Sequence, residues 1–186
     1  MRAGSVFSAP AIPAARPKHT DSRIPSMDQK HIINATVENQ PAVLSRIVGL
    51  FSGRGYNIET LNVGPCADPR FSRMTITVPG DEHVLEQVTK QLNKLVDVVK
   101  VVDLTSERHI ARELLLVEVG APRQKRSEVL SVAEIFGAKV VGVKENSLTM
   151  QFVGREDQVD DFLSILRPYT IINLARSGLL AVGCGD

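Results

Sequence analysis

The sequence predicts an α+β fold in which one order of elements (strand, helix, strand, strand, helix, strand) occurs twice in tandem. Three observations support this prediction. Short runs of alternating or β-branched apolar residues are typical of strands with at least one buried face. Four other segments carry apolar residues at the spacing of an amphipathic helix. Turns rich in glycine, proline and polar residues separate these segments.

The first half contains four strands and two helices. Apolar residues alternate with polar ones at 31–38, which predicts a strand with one buried face. Pro41 is expected in the first turn of the helix that follows, where a missing N–H costs nothing. Gly53 and Gly55 are expected to end that helix. The remaining segments are a strand at 56–63, a strand at 74–78, a helix at 81–95 with Asp81 as N-cap, and a strand at 98–104.

The second half repeats this order. It has a strand at 114–119, a helix ended by Gly137, two strands at 140–143 and 148–153 joined by a hairpin turn, a helix stopped at Pro168, and a strand at 171–175. This is the order of the split β-α-β motif. We therefore predict two tandem ferredoxin-like βαββαβ domains. The apolar tail at 178–182 either extends the last strand or offers an edge to a partner.

These elements divide the chain into a leader at 1–26, a first domain at 27–105, a joint at 106–111 and a second domain at 112–186. The leader is basic and rich in alanine, proline and serine, and its four prolines prevent a long helix. We predict that it is disordered. An organellar transit peptide is the alternative, but the prolines disfavour the amphipathic helix that such a peptide forms.

Composition excludes several classes of function. The net charge of +1 gives no global attraction to nucleic acid or membrane, and no apolar run reaches the ~20 residues that span a bilayer. The strands of the first domain carry no aromatic platform of the kind on which RNA-binding modules stack bases. Two distant cysteines, Cys66 and Cys184, make neither a zinc motif nor a disulfide framework. We expect a protein of the bacterial cytoplasm.

No catalytic or metal-binding constellation is evident in the sequence. The four histidines have no cysteine or carboxylate partner at a recognisable triad or metal spacing. We interpret each of them as a solvated surface residue: His19, His31, His83 and His109. The glycines of the first helix suit packing and capping, and they form no phosphate-binding loop.

The strand-to-helix junction at 38–42 is the predicted site of function. The start of a helix leaves free backbone N–H groups, and these suit a small carboxylate. Asn39 either caps the helix or contacts a ligand. Asn57, which follows the helix, is expected to return beside the same spot or to serve as a turn residue. These residues predict a binding site for a small amino acid.

Several runs of residues resemble the ACT domain of the small, regulatory subunit of acetolactate synthase. They are 38–47, 49–59, 72–76, 91–98, 112–114 and 175–178, and the resemblance covers 31–186. It implies a subunit without an active site that activates a large catalytic subunit carrying thiamine diphosphate, magnesium and FAD. It also implies feedback inhibition by a branched-chain amino acid, valine being favoured. A stand-alone ACT-type amino-acid sensor is the alternative, although no DNA-binding helix-turn-helix is evident.

The resemblance places the effector between two ACT domains of a homodimer. Its contacts fall at the positions of Asn39, Ala42 and Asn57, with Val43, Leu44 and Ile58 alongside. The effector carboxylate would then lie on the free amides at the start of the first helix. Asn57 of the second subunit would contact its polar groups, and the apolar residues would surround its branched side chain.

One position departs from the family pattern. The family usually has glycine where this chain has Ala42. That residue is expected in the first helical turn with a negative φ, which alanine adopts readily. On this interpretation, glycine is kept there for the close approach of a ligand or partner. We expect the added methyl group of Ala42 to weaken or alter feedback by valine.

Overall fold

A computed structural model of the chain describes residues 29–185, and it confirms the α+β class and the doubled order of elements. The first domain consists of β1 (Gln29–Glu38), α1 (Val43–Ser52), β2 (Thr60–Pro65), β3 (Phe71–Gly80), α2 (Glu82–Leu92) and β4 (Val98–Asp103). The second consists of β5 (His109–Gly120), α3 (Arg126–Phe136), β6 (Lys139–Val143), β7 (Ser147–Gly154), α4 (Glu156–Leu166), a 3₁₀ turn (Arg167–Tyr169), β8 (Ile171–Arg176) and β9 (Leu180–Gly183). The leader predicted at 1–26, which includes His19, lies outside the described residues.

Each domain is an antiparallel sheet with two helices on one face. The strand order is β2-β3-β1-β4 in the first domain and β6-β7-β5-β8 in the second, which is the ferredoxin-like order predicted for both. The central strand β1 pairs with β3 and β4, and β5 pairs with β7 and β8. Strand β2 is therefore an edge of the first sheet, on the side away from β4.

The helices cover the apolar face of each sheet. The alternation in β1 has the predicted result, because Ile33, Ala35 and Val37 are buried against α1 and α2. The second core contains the rings of Phe136, Phe152 and Phe162, whose centroids lie 5.0–6.2 Å apart. Burial of each large apolar side chain stabilises the folded state by about 1.5–3 kcal/mol. Each domain is therefore stabilised by its own apolar core.

The apolar tail is a separate strand and does not extend β8. Gly178, with a φ of +75°, lies in the turn that separates the two strands. Strand β9 then pairs with the first residues of β5, so that Ala181 lies opposite Ala111. Ala181 and Leu179 are both buried. The tail packs within the chain, and the expectation that it continues the last strand is wrong.

The tail also crosses the face of the first sheet that the helices leave open. Four polar side chains of that face form hydrogen bonds of 2.9–3.4 Å to the tail backbone between residues 177 and 181: Asn34, Thr60, Asn62 and Thr75. Polar groups that are buried without partners cost free energy. These hydrogen bonds pair the polar face of the sheet with the backbone of the tail, and this contact joins the two domains.

One group of ion pairs also joins the domains. The ammonium group of Lys30 lies 2.9 Å from the Glu59 carboxylate and also contacts the carboxylate of Glu156 at the start of α4. Partial burial alone would lower the pKa of Lys30, but the hydrogen bonds to Glu156 and Glu59 and their charges more than offset this and raise it. The ion-paired form of Lys30 is thus favoured in the folded chain.

The structure corrects the predicted limits of two elements. Pro41 precedes α1, which begins at Val43, so the proline does not occupy the first helical turn. Strand β2 begins at Thr60 and not at residue 56. The reason is that Tyr56 and Ile58 pack against the core in a segment without regular secondary structure, before sheet pairing begins at Thr60.

The histidines are not all at the surface. His31 is 1% exposed, and its Nε2 lies 3.1 Å from the carbonyl oxygens of Gly80 and Asp81. It is buried because it lies in the same alternation phase as the core residues of β1. His83 is exposed, as predicted. His109 begins β5, so residues 109–111 of the segment interpreted as a joint are part of a strand.

Candidate effector site

The start of α1 presents two backbone N–H groups without an acceptor. No described residue accepts a hydrogen bond from the N–H of Leu44 or Ser45, and α1 has no side-chain cap. Helix α2 differs, since Asp81 accepts from the Val84 N–H at 2.9 Å. Free amides at a helix start carry partial positive charge and suit a carboxylate. The start of α1 is the place at which the sequence predicts a carboxylate-binding site.

Asn39 does not cap α1. Its Nδ2 donates to the Pro69 carbonyl at 3.0 Å, and its backbone N–H donates to the Arg70 carbonyl at 2.7 Å. These bonds tie the end of β1 to the loop before β3. The residue is exposed. One Nδ2 hydrogen of Asn39 is engaged in this way, which leaves its second Nδ2 hydrogen and its amide oxygen for a ligand.

Ala42 has a left-handed backbone, contrary to the prediction of a negative φ. It precedes the first helical residue with φ +67° and ψ −2°. This conformation places the alanine Cβ close to the following carbonyl oxygen and costs roughly 1–2 kcal/mol relative to an unstrained backbone, a cost that glycine avoids. The glycine that the family resemblance implies here is explained by backbone conformation, before any contact with a ligand is considered.

Val43 and Leu44 point to different environments. Val43 is 3% exposed and belongs to the first core, so its side chain is not available to a ligand in this conformation. Leu44 is 45% exposed on the outer side of α1. The sequence assigned both residues to the site, and helical periodicity explains the difference, because Val43 lies in phase with Ile47 and Leu44 does not.

Asn57 and Ile58 lie at the opposite end of α1. Helix α1 has ten residues, so its two ends are about 15 Å apart. The expectation that Asn57 returns beside the helix start is therefore wrong within one chain. Asn57 is exposed, and Ile58 is partly buried against the core. The two halves of the predicted site meet only if a second copy of the chain contributes one of them.

The surface between these two ends is apolar and exposed. Leu44 and Val48 lie one turn apart on the outer side of α1, at 45% and 36% exposure. Val63 of the edge strand β2 is 47% exposed, and it faces the helix side of the sheet because it lies opposite the buried Met74. An exposed apolar patch beside a free sheet edge is typical of an interaction surface.

No sequence pattern indicates the groups that join the two domains. Lys30, Glu59 and Glu156 are charged residues on separate elements, and Lys30 is 126 residues from Glu156. The alternation of β1 placed Asn34 and Thr36 on the polar face but did not indicate that the tail covers it. Such pairings depend on the tertiary fold, and no periodicity or local motif encodes them.

Among the described residues, little indicates catalysis or metal binding. Residues 29–185 contain no group of three histidine, cysteine or acidic side chains that could hold a metal ion. Cys66 and Cys184 are free thiols, each partly exposed. None of the four α-helices in this part of the chain has the length and apolarity needed to cross a membrane.

The fold and the exposed helix start define a class of protein, one with tandem ferredoxin-like domains of the ACT type. Residues 33–100 match the family model described as the AHAS small subunit-like ACT domain, AHAS being acetohydroxyacid synthase. Residues 112–185 match the model described as the small subunit of acetolactate synthase. The chain belongs to the family of acetolactate synthase small subunits, which confirms the resemblance found in the sequence. By family it is a regulatory subunit and not a catalytic one.

Relatives from distant organisms agree with this assignment. The chain is 47% identical over 157 residues to the probable acetolactate synthase small subunit of Methanothermobacter thermautotrophicus, covering 84% of this chain and 94% of the relative. It is 46% identical over 158 residues to the small subunit of Haemophilus influenzae, covering 84% and 97%. The crystal structure of the Thermotoga maritima small subunit is similar, with a TM-score of 0.79 and 31% identity over 85% of this chain and 99% of that one.

Proposed function

We propose that this chain activates a thiamine-diphosphate-dependent large subunit and makes it sensitive to feedback inhibition by a branched-chain amino acid, with valine favoured. One structural observation supports the effector site above all, namely the exposed, uncapped start of α1 with the free N–H groups of Leu44 and Ser45. The cofactors of the reaction, thiamine diphosphate, magnesium and FAD, belong in this proposal to the large subunit. The complex works in the cytoplasm.

The effector binds between two copies of the chain. Its carboxylate accepts hydrogen bonds from the amides at the start of α1, favoured by the helix dipole. Asn57 of the second copy contacts its polar groups, while Leu44 of one copy and Ile58 of the other surround its side chain. Hydrophobic pockets distinguish one methylene group by about 1–3 kcal/mol. This difference is enough for the site to prefer one branched-chain amino acid.

The geometry of one chain supports a two-fold symmetric homodimer. In an isologous interface, residue i of one copy contacts residue j of the other, and j contacts i. Antiparallel packing of two α1 helices brings the start of each helix to the end of the other. The exposed Leu44 and Val48 provide the apolar surface for this packing. The dimer then carries two equivalent effector sites.

Inhibition follows from a shift of population. The effector favours an inhibited arrangement of the complex because it binds that arrangement more tightly. Typical coupling of this kind amounts to about 1–3 kcal/mol, or 5–150-fold in affinity. The contacts between the two domains, at Lys30 and along the tail, offer a physical route from the effector site to the second domain.

The experiment measures acetolactate formation by the cognate large subunit, alone and with this chain, during titration with valine, leucine and isoleucine. Activation followed by inhibition by one of the three supports the whole proposal and identifies the effector. Activation without inhibition supports the subunit role but contradicts the feedback role. The absence of both activation and complex formation favours the second candidate, a stand-alone ACT-type amino-acid sensor.

Ala42 is expected to weaken feedback in this chain. Its methyl group lies on an exposed residue two positions before the first free amide of α1. In the holoenzyme, Ala42→Gly should lower the valine concentration for half-maximal inhibition severalfold, with little change in activity without effector. An unchanged inhibition constant contradicts this expectation.

A further inference from the structure

We propose that the open face of the first sheet carries a second small-molecule site, for a compact carboxylate with an amino or hydroxyl group on the neighbouring carbon. The site is a pocket of about 250 Å³ between the sheet and the end of the C-terminal tail. It lies on the face opposite α1 and α2. It is therefore distinct from the candidate effector site and does not depend on the function proposed for that site.

Two cationic side chains form one end of the pocket. Thr36 in β1 lies opposite Arg73 in β3 and also opposite Lys100 in β4, so the three residues form a row across the sheet. Neighbouring strands are about 4.8 Å apart, which places the two cationic residues roughly 10 Å apart on one face, within the combined reach of their side chains. Both are exposed and line the pocket.

Arg73 and Lys100 are not neutralised by the described part of the chain. Neither forms an ion pair with a carboxylate of residues 29–185, whereas Lys30, Arg46 and Arg176 all do. Two like charges on one face repel each other, and an anion between them removes that repulsion. Glu107 also lines the pocket and leaves it with one net positive charge. A single carboxylate matches this charge.

Asn34 indicates that the ligand carries a hydrogen-bond donor in addition to its carboxylate. It lies in the next row of the sheet, between Thr75 and Val102, and is 8% exposed. Its Nδ2 donates to the Ala181 carbonyl at 3.0 Å, but its buried Oδ1 accepts a hydrogen bond from no described residue. A buried acceptor without a donor is costly. Since Asn34 lines the pocket, the matching ligand carries a donor close to its carboxylate.

The tail sets the size of the ligand. Residues 182–185 line the pocket on the side of the tail. A hydrogen bond of 2.9 Å from the Cys184 N–H to the Arg108 carbonyl fixes their position. The volume lies below the about 300–1,000 Å³ of sites for drug-sized ligands. The volume suits a ligand of a few carbon atoms, and a 2-oxo acid has no donor for Asn34. A 2-hydroxy acid of a few carbon atoms satisfies both groups and carries the matching charge. A 2-amino acid also supplies the donor, but its ammonium group leaves it without net charge.

The experiment measures binding to the full chain by calorimetry, with lactate, alanine and pyruvate as probes at low salt. Lactate or alanine should bind, and the one that binds more tightly identifies the hydroxyl or the amino group as the donor. Pyruvate should bind at least tenfold more weakly. The Arg73→Gln/Lys100→Gln variant should lose at least tenfold in affinity for the probe that binds. Added NaCl should weaken binding to the wild type, because the contacts are ionic.

The matched control is Lys94→Gln/Arg123→Gln, which removes the same charge from exposed positions outside the pocket. It should bind the probe as the wild type does. Binding of alanine at the effector site is distinguished by Asn57→Ala, which leaves this pocket intact. Equal affinity in the pocket variant and the control overturns the proposal. Equal affinity for pyruvate and lactate overturns the role assigned to Asn34.

Discussion

At the scale of the residue, the backbone angle of Ala42 changes how the family pattern is understood. A glycine in a helix turn with negative φ would suggest room for a ligand. The observed φ of +67° instead makes glycine the unstrained choice for the backbone itself. The sequence could not reveal this, because the residue after Pro41 is compatible with either a helical turn or a left-handed one. Effects of Ala42 on stability and on effector binding are therefore separate quantities.

Ala42→Gly should stabilise the chain. Release of the left-handed strain outweighs the added freedom of glycine in the unfolded state, and we expect a gain of about 0.5–1 kcal/mol in the free energy of unfolding. Urea denaturation followed by circular dichroism measures this as a higher midpoint at an unchanged slope. Ser45→Gly is the control, since Ser45 is exposed within α1 and glycine there should lower the midpoint. A lower midpoint for Ala42→Gly contradicts the strain argument.

At the scale of the element, the tail is the feature that makes the two domains one unit. Strand β9 belongs by sequence to the second domain, yet side chains of β1 and β3 bind its backbone at Ala181, and a side chain of β2 binds the backbone of Ser177 before it. Asn62 is central to this contact, because its Nδ2 donates to the carbonyls of Ser177 and Leu179 at 2.9 and 3.2 Å. Loosening the tail should therefore be possible without unfolding either core.

Asn62→Ala should loosen the tail selectively. Loss of these two hydrogen bonds, each worth about 0.5–1.5 kcal/mol, should raise the hydrogen-exchange rates of the Leu180 and Ala181 amides about tenfold. Exchange in β7, in the second core, should stay unchanged. Gln124→Ala, at an exposed position before α3, should leave the tail amides as in the wild type. Uniform acceleration of exchange throughout the chain would mean that Asn62 supports global stability and not the tail.

Elements with strong periodicity could be predicted from the sequence, and elements defined by long-range contacts could not. The core phase of β1, the Asp81 cap of α2 and the end of α3 at Gly137 all follow local rules. Periodicity places the start of β2 too early, because apolar residues before it pack without pairing. It does not predict the position of the tail, because the partners of the tail, the polar side chains of the first sheet, lie more than 100 residues away. Periodicity shows that a face is polar, but it does not show what covers it.

At the scale of the whole molecule, Lys30 should contribute to stability in a pH-dependent way. Its folded-state pKa is raised above the ordinary value of 10.5, so its contribution is fully present below about pH 10.5 and is lost as the pH rises through the folded value. The difference in unfolding free energy between wild type and Lys30→Met should be at most about 1 kcal/mol at pH 8 and should shrink above pH 10.5. Lys90→Met, which removes an exposed ion pair within α2, is the control. A difference that stays constant up to pH 12 would exclude the ion pair as its source.

The shared effector site makes the sharpest prediction about the assembled molecule. Asn39 and Asn57 lie at opposite ends of a helix of about 15 Å, so a site that uses both must combine two copies of the chain. Asn39→Ala and Asn57→Ala homodimers should each bind the effector weakly. In a mixed dimer of the two variants, one site carries both changes and the other is intact. Calorimetry on the purified mixed dimer should therefore show wild-type affinity at half the wild-type stoichiometry. Weak binding by the mixed dimer would place the site within one chain, and the antiparallel pairing of α1 would then be wrong.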